Sequence, residues 1–133
     1  MTNEITIALP TEDRVRAYEF YRTALNLASV GEPAEDGVPE PLQFRLDTGT
    51  TLMFVPTGGF GWVLGGRDSA PAGSHEVLLS LTLGSAEEVR AAAERMLDAG
   101  GEIVLEPTEQ PWGFSAVTTD PDGHAWQLIA AQG

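Results

Sequence analysis

Cysteine and lysine are absent from this 133-residue chain, and histidine occurs only twice, at His75 and His124. The lack of cysteine excludes disulfides, thiolate zinc sites and a cysteine nucleophile, so any metal would need nitrogen or oxygen ligands. No apolar run approaches the roughly 18 to 20 residues of a membrane-spanning helix. The start MTNEITIALP lacks the basic and long apolar segments of a signal peptide, which predicts a cytoplasmic protein without membrane association.

Positive charge is also scarce. The chain has 7 basic residues, all arginine, against 20 acidic ones, for a formal net charge of −13. Such a surface repels phosphate backbones, so we expect no nucleic-acid partner, whereas a cationic small molecule would be attracted. The same acidity is also explained by solubility alone, and the sequence leaves both explanations open.

Familiar catalytic and cofactor motifs are missing as well. There is no nucleophile elbow, no GxGxxG after a strand and no phosphate-binding P-loop. The adjacent acids Glu87 and Glu88 fall in the first turn of a predicted helix, where they suit the helix dipole. The residues therefore predict no catalytic dyad and no cofactor.

The first half of the chain has a clear order of patterns: strand, helix, strand, strand, strand. ITIALP alternates like a strand with one face in the core, and Thr11 can cap the helix that follows. The apolar stripe of this helix comprises Ala17, Phe20, Tyr21 and Ala24. LASVGEP predicts a short strand, EPAEDGVPEP an exposed loop, and DTG a turn joining PLQFRL to TTLMFV.

The second half repeats this order. VLLSLTL alternates as a strand, and Ser85 with Glu88 forms a capping box that opens a helix ending at paired glycines. The apolar stripe of this second helix comprises Val89, Ala92, Ala93, Met96 and Leu97. EIVLE, FSAVTT and HAWQLIA complete the set. The pattern predicts one domain with unit one at about 3–57, a glycine-rich linker at 58–75 and unit two at about 76–131.

The fold class follows from this duplication. We predict an α+β protein in which two βαβββ units form a cleft-like half-barrel of mixed and antiparallel strands with the helices outside. Residues out of phase with the core should line the cleft. They are Thr6, Ala8, Gln43, Arg45, Met53, Leu78, Ser80, Thr82 and Gln127.

A family resemblance rests on five features. They are the paired βαβββ units, FYRTALNL at the end of the first helix, DAGGEI at the end of the second, PWG, and DPDGHAWQL at the last strand. Together they resemble the vicinal oxygen chelate superfamily, which includes glyoxalase I, extradiol dioxygenases and the fosfomycin- and bleomycin-resistance proteins. The resemblance spans essentially the whole chain.

Enzymes of that superfamily resemble one another in a divalent metal site built from the first and last strands of each unit. The resemblance places these ligand positions on Thr6 and near Met53 in unit one, and on Leu78 and Gln127 in unit two. Thr, Met and Leu supply essentially no ligand for such an ion, and an amide is a poor substitute for a carboxylate. We therefore predict no metal here. No shift of register would put a histidine in either first strand.

Seven residues are predicted to bind a small-molecule ligand in the cleft: Gln43, Arg45, Met53, Trp62, Ser80, Trp112 and Gln127. Trp62 and Trp112 are flanked by glycines and suit aromatic walls over a planar ligand, although each could instead pack a loop onto a sheet edge. Arg45 faces either the cleft or solvent. His75, His124 and Trp126 are interpreted as surface or structural residues.

Three functions are compatible with this pattern. The first is a metal-free binding protein of the bleomycin-resistance type that sequesters a cationic or planar ligand. The second is a glyoxalase-like lyase or isomerase, or a dioxygenase-family enzyme, whose ligands lie elsewhere or whose chemistry needs no metal. The third is an interaction partner with no small ligand. The resemblance alone implies a homodimer.

Overall fold

A computed structural model describes residues 3–47 and 49–132, and the chain divides into two compact units, Met1–Ala70 and Pro71–Gly133. The described residues form seven strands and three helices in two mixed sheets, which confirms the predicted α+β class. None of the helices in this described part has the length and apolar character needed to cross a bilayer.

The first unit is a three-stranded sheet of order β1-β3-β2 with two helices. The central strand β3 pairs in parallel with β1 and antiparallel with β2. The bounds are β1 Ile5–Thr11, α1 Arg14–Ala24, β2 Leu42–Asp47, β3 Thr50–Pro56 and α2 Thr57–Val63.

Helix α1 packs on the sheet through the predicted stripe. All four stripe residues are buried, and Tyr21 contacts the rings of Phe44 and Phe54 at centroid distances of 5.8 and 4.9 Å. The cap prediction was wrong, because β1 continues through Thr11 and the helix begins later. Asp13 is the N-cap, and its side chain accepts a hydrogen bond from the Arg16 amide.

One strand prediction for unit one was wrong, and one helix was not predicted. LASVGEP forms no strand and has only two isolated bridges, Ser29 with Phe44 and Pro33 with Pro39, because Gly31 at φ 99° interrupts a continuous ladder between them. The predicted linker contains helix α2, which lies against β1 and β3. Three of its seven residues are glycine, so its sequence gives a poor helix signal.

The second unit is a four-stranded sheet of order β4-β7-β6-β5 covered by α3. β4 pairs in parallel with β7, and the other neighbours are antiparallel. The bounds are β4 Leu79–Leu83, α3 Ala86–Asp98, β5 Glu102–Gln110, β6 Gly113–Thr119 and β7 Ala125–Ala130.

Half of the predicted capping box is confirmed in helix α3, since the Ser85 hydroxyl accepts from the Glu88 amide at 3.2 Å. The Glu88 carboxylate accepts from the Ser85 hydroxyl at 3.4 Å instead of from the Ser85 amide. Val89, Ala92, Ala93 and Met96 are buried, but Leu97 is 45% exposed, which corrects its place in the stripe. Leu97 lies about 100° around the helix from Met96 and therefore leaves the buried face.

Candidate functional site

Each sheet has a far face, defined here as the face that does not contact α1 or α3. In unit one the far face has two cross-strand rows, Ala8-Met53-Gln43 and Thr6-Thr51-Arg45. Three of the predicted ligand-binding residues, Gln43, Arg45 and Met53, therefore lie together on it. Gln43 and Met53 are half-buried, and the Arg45 side chain is exposed and lies 3.9 Å from the Glu4 carboxylate.

In unit two the far face contains Ser80, Thr82 and Gln127. Ser80 and Gln127 are paired in the β4-β7 register, and Gln127 Nε2 donates a hydrogen bond to Ser80 Oγ at 3.0 Å. Both residues are thus joined directly, as a neutral polar pair. Their backbone neighbours Trp126 and Leu128 point to the opposite face and are buried, in agreement with the structural role predicted for Trp126.

The two predicted tryptophans are not part of these rows. Trp62 lies on α2 and is 84% exposed, and Trp112 lies in the turn between β5 and β6 and is 56% exposed. Neither packs a loop onto a sheet as a buried residue would. Their role as walls over a ligand stays a prediction.

The strand register tests whether the far faces fit the superfamily's metal site. The parallel pairing places Ala8 rather than Thr6 beside Met53, and Ser80 rather than Leu78 beside Gln127. Leu78 precedes β4 and is 53% exposed. The structure thus moves the implied positions by two residues, from Thr6 to Ala8 and from Leu78 to Ser80, which leaves them on the same face of the strand. The move supplies no metal ligand, since neither Ala8 nor Ser80 carries a carboxylate or imidazole. These residues do not fit a divalent ion.

One cluster of metal-ligating side chains does occur in the described residues, and sequence reasoning did not single it out. Potential ligand atoms of Asp120, Asp122 and His124 lie within 4.8 Å of one another. The Asp-x-Asp-x-His spacing in DPDGH is the sequence signal that could have revealed it. The cluster lies in the turn before β7, at residues other than those that the resemblance implies.

Turn formation accounts for the buried member of this cluster. Asp120 is 2% exposed, and its Oδ1 accepts hydrogen bonds from the amides of Asp122 at 2.9 Å and His124 at 2.8 Å. The Gly123 carbonyl also lies 2.8 Å from Nε2 of His75. Since a carbonyl can only accept, Nε2 of His75 is the donor of this bond. Both histidines thus contact the turn.

Arg14 anchors the loop that leads to β2. Its Nε donates to the Pro39 carbonyl at 3.0 Å, and its Nη2 donates to the Val38 carbonyl at 2.9 Å and to Asp36 Oδ1 at 2.8 Å. The Val38 amide donates to the same Asp36 carboxylate at 3.1 Å. Chiefly this amide, and also Arg14, hold the pKa of Asp36 below its ordinary value.

The lowered pKa predicts a pH-dependent stability. A depressed carboxyl pKa contributes stability above the unfolded value of about 3.9, and this contribution is lost as pH falls through the lower folded value. We expect Asp36→Asn to lower the melting temperature by about 1 to 3 °C at pH 7, with the difference from wild type vanishing in stronger acid. Thermal melts from pH 2 to pH 8 measure this. Glu35→Gln removes an equal charge from the same loop without breaking the bonds between Asp36 and Arg14, and it should change the melting temperature at pH 7 by less than about 1 °C.

A groove of about 300 Å³ lies at the end of β3 in unit one. Its lining combines the strand residues Met53 to Pro56 with Glu40 and Pro41 of the anchored loop and with Arg14. Sequence reasoning placed Met53 in the site but missed the rest, because the loop pattern indicated only exposure.

Comparisons with known proteins agree with this architecture. A comparison with curated proteins finds no match. A hypothetical protein from S. aureus is 24% identical, with a TM-score of 0.82 over 98% of this chain and 95% of its own. A glyoxalase-related enzyme from Fulvimarina pelagi is 23% identical, with a TM-score of 0.83 over 98% and 89%. At such identities these structures show the fold alone.

A third similar structure is that of an antibiotic binding protein. TnmS3, an antibiotic binding protein from Streptomyces sp. CB03234, is 22% identical, with a TM-score of 0.65 over 99% of this chain and 98% of its own. A family model matches residues 5–128, which is nearly the entire chain. The chain therefore belongs to the Glyoxalase/Bleomycin resistance protein/Dioxygenase superfamily.

Proposed function

We propose that this protein binds a cationic or planar small molecule without a metal ion, as the bleomycin-resistance type does. This proposal rests on the chemical character of the side chains on the two far faces. Two of the positions that the resemblance assigns to metal ligands, Met53 and Gln127, pair with Ala8 and Ser80, and none of these four side chains is a carboxylate or an imidazole. Apolar and neutral hydrogen-bonding side chains favour contact with an organic ligand over coordination of a divalent ion.

The hydrogen bond between Gln127 and Ser80 supports this proposal. A glutamine whose amide donates to its neighbour presents its carbonyl oxygen to a ligand as an acceptor. The net charge of −13 attracts cations over long range, and salt should weaken that attraction. TnmS3, which has a similar fold, is an antibiotic binding protein, and this is consistent with ligand binding by this architecture.

A metal-dependent enzyme is the competing candidate, and the cluster at Asp120, Asp122 and His124 is the observation that favours it. The hydrogen bonds that the Asp120 carboxylate already makes argue against a metal site in this cluster. One oxygen of this buried carboxylate already accepts two backbone hydrogen bonds, which are sufficient reason for its position. The far-face proposal is therefore preferred.

The proposal predicts ligand binding that a chelator leaves unchanged. Metal-free bleomycin and the planar cation thioflavin T are titrated into the protein by calorimetry, before and after EDTA treatment and dialysis. We expect the same micromolar affinity in both states, weaker binding at high salt, and less than about 0.1 equivalent of retained Ni, Zn, Fe or Mn by elemental analysis.

A designed variant serves as the positive control for the metal measurement. Ser80→His with Gln127→Glu places an imidazole and a carboxylate on adjoining far-face positions, and this variant should retain more Ni²⁺ or Zn²⁺ than the native protein. Binding that EDTA abolishes and Zn²⁺ restores in the native protein would overturn the metal-free proposal in favour of the enzyme.

A further inference from the structure

The groove at the end of β3 has a mainly apolar wall with two ionisable side chains. The apolar lining residues are Pro41, Met53, Phe54, Val55 and Pro56, and the ionisable ones are Arg14 and Glu40. Its volume of about 300 Å³ lies at the lower end of the range for small-molecule pockets. The space suits a compact organic molecule rather than a large one.

The two charged side chains of the groove differ in whether other groups compensate their charge. The guanidinium of Arg14 is bonded to the Asp36 carboxylate and to two backbone carbonyls, and its side chain is only 15% exposed. Its charge is therefore compensated within the loop. Glu40 is exposed, and in residues 3–47 and 49–132 its carboxylate makes no hydrogen bond or ion pair. The uncompensated charge at the groove is thus negative.

An apolar groove beside a free carboxylate is complementary to an organic cation. The carboxylate attracts the charge, the walls receive the apolar body, and the polarisable thioether of Met53 packs well against alkyl or aromatic groups. Arg14 keeps the loop in place, so that Glu40 and Pro41 stay at the edge of the strand. The carboxylate and the apolar walls occur together in this groove. This combination, rather than the general acidity of the chain, indicates an organic cation as the ligand.

We propose that this groove binds the charged end of the ligand, and that the ligand is a compact monocation: a quaternary or protonated amine with a small apolar body. The inference rests on the proposed function and narrows it, since it names Glu40 and Met53 as the residues that recognise the charge and the body. Planar neutral molecules then bind less well than cations of the same shape.

Benzyltrimethylammonium is a suitable probe, with neopentylbenzene as its uncharged isostere. Binding is followed by NMR in protein carrying ¹³C-methyl methionine. Met53 lines the groove, and the fully buried Met96 in the other unit is the internal reference. We expect the Met53 signal to shift with added cation while the Met96 signal stays, and the cation to bind at least about twofold more tightly than the isostere.

The matched variants are Glu40→Gln and Glu35→Gln, which remove one negative charge each from the same exposed loop. We expect Glu40→Gln to weaken binding of the cation by about twofold to fivefold, and Glu35→Gln by less than about 1.5-fold. Equal losses in the two variants would overturn the proposal, because the field of the whole protein would then explain the attraction.

Three further outcomes distinguish failure of this inference from failure of the proposed function. Binding of thioflavin T or bleomycin with an unmoved Met53 signal would overturn the groove assignment and leave the proposed function standing. Failure of every probe, charged or neutral, to bind the native protein would overturn both. Equal affinity for the cation and its isostere at Met53 would overturn the ligand class.

Discussion

Replacement of Phe54 by alanine is expected to cost about 3 to 5 kcal/mol of the free energy of unfolding. Phe54 is 1% exposed, and its ring packs against Tyr21 at a centroid distance of 4.9 Å and against Phe44 at 6.2 Å. The substitution removes the apolar surface that the ring buries and leaves a cavity between α1 and the sheet. Backbone constraint limits how far that cavity can collapse.

Chemical denaturation of native and variant protein measures this effect. Phe54→Leu, which keeps much of the volume, should cost about 1 to 1.5 kcal/mol. Trp62→Ala removes an even larger aromatic side chain, but one that is 84% exposed, and should change stability by no more than about 0.5 kcal/mol. A cost for Phe54→Ala below that of Phe54→Leu would contradict the packing described here.

Asp120→Ala is the second substitution with a large expected effect, about 2 to 4 kcal/mol. The buried carboxylate accepts from two backbone amides in the DPDGH turn, and alanine leaves both amides without this acceptor. The turn also has backbone bonds from Asp120 to the His124 carbonyl and from Gly123 to the Asp120 carbonyl. These bonds hold the chain reversal that starts β7.

Asp120→Asn is the matched control, because it keeps an oxygen at the accepting position and should lose less than half as much stability. Denaturation curves in EDTA compare the two variants. If Asp120→Asn and Asp120→Ala lower the free energy of unfolding equally, the hydrogen bonds accepted by the side-chain oxygen do not explain how Asp120 stabilises the turn. If added Zn²⁺ or Ni²⁺ raises the melting temperature of the native protein but of neither variant, the cluster is a metal site instead.

Much of the fold could be predicted because the relevant signals are local. The helical spacing of Ala17, Phe20, Tyr21 and Ala24 defined the buried face of α1, and alternation defined β4 and β7. The same reasoning failed for α2, whose glycines oppose helix formation in isolation. Packing against β1 and β3 outweighs that propensity, and no local pattern reveals such packing.

The candidate site was only partly predictable for a similar reason. Strand phase placed Gln43, Met53, Ser80 and Gln127 on the far faces, since side chains alternate along a strand. Phase alone does not fix register between strands that are distant in sequence. The pairing of Met53 with Ala8, rather than with Thr6, is therefore a property of the assembled sheet.

The sequence by itself determined the duplicated α+β pattern, the buried helix faces, the acidic surface and the absence of carboxylate or imidazole where the resemblance implies a metal. Only the tertiary structure decided that Gln127 is hydrogen-bonded to Ser80 and that Asp36 compensates the charge of Arg14, whereas among the described residues Glu40 has no such partner. These relations join residues 22 to 47 positions apart. They depend on distances in space, which chain folding sets and residue order alone does not.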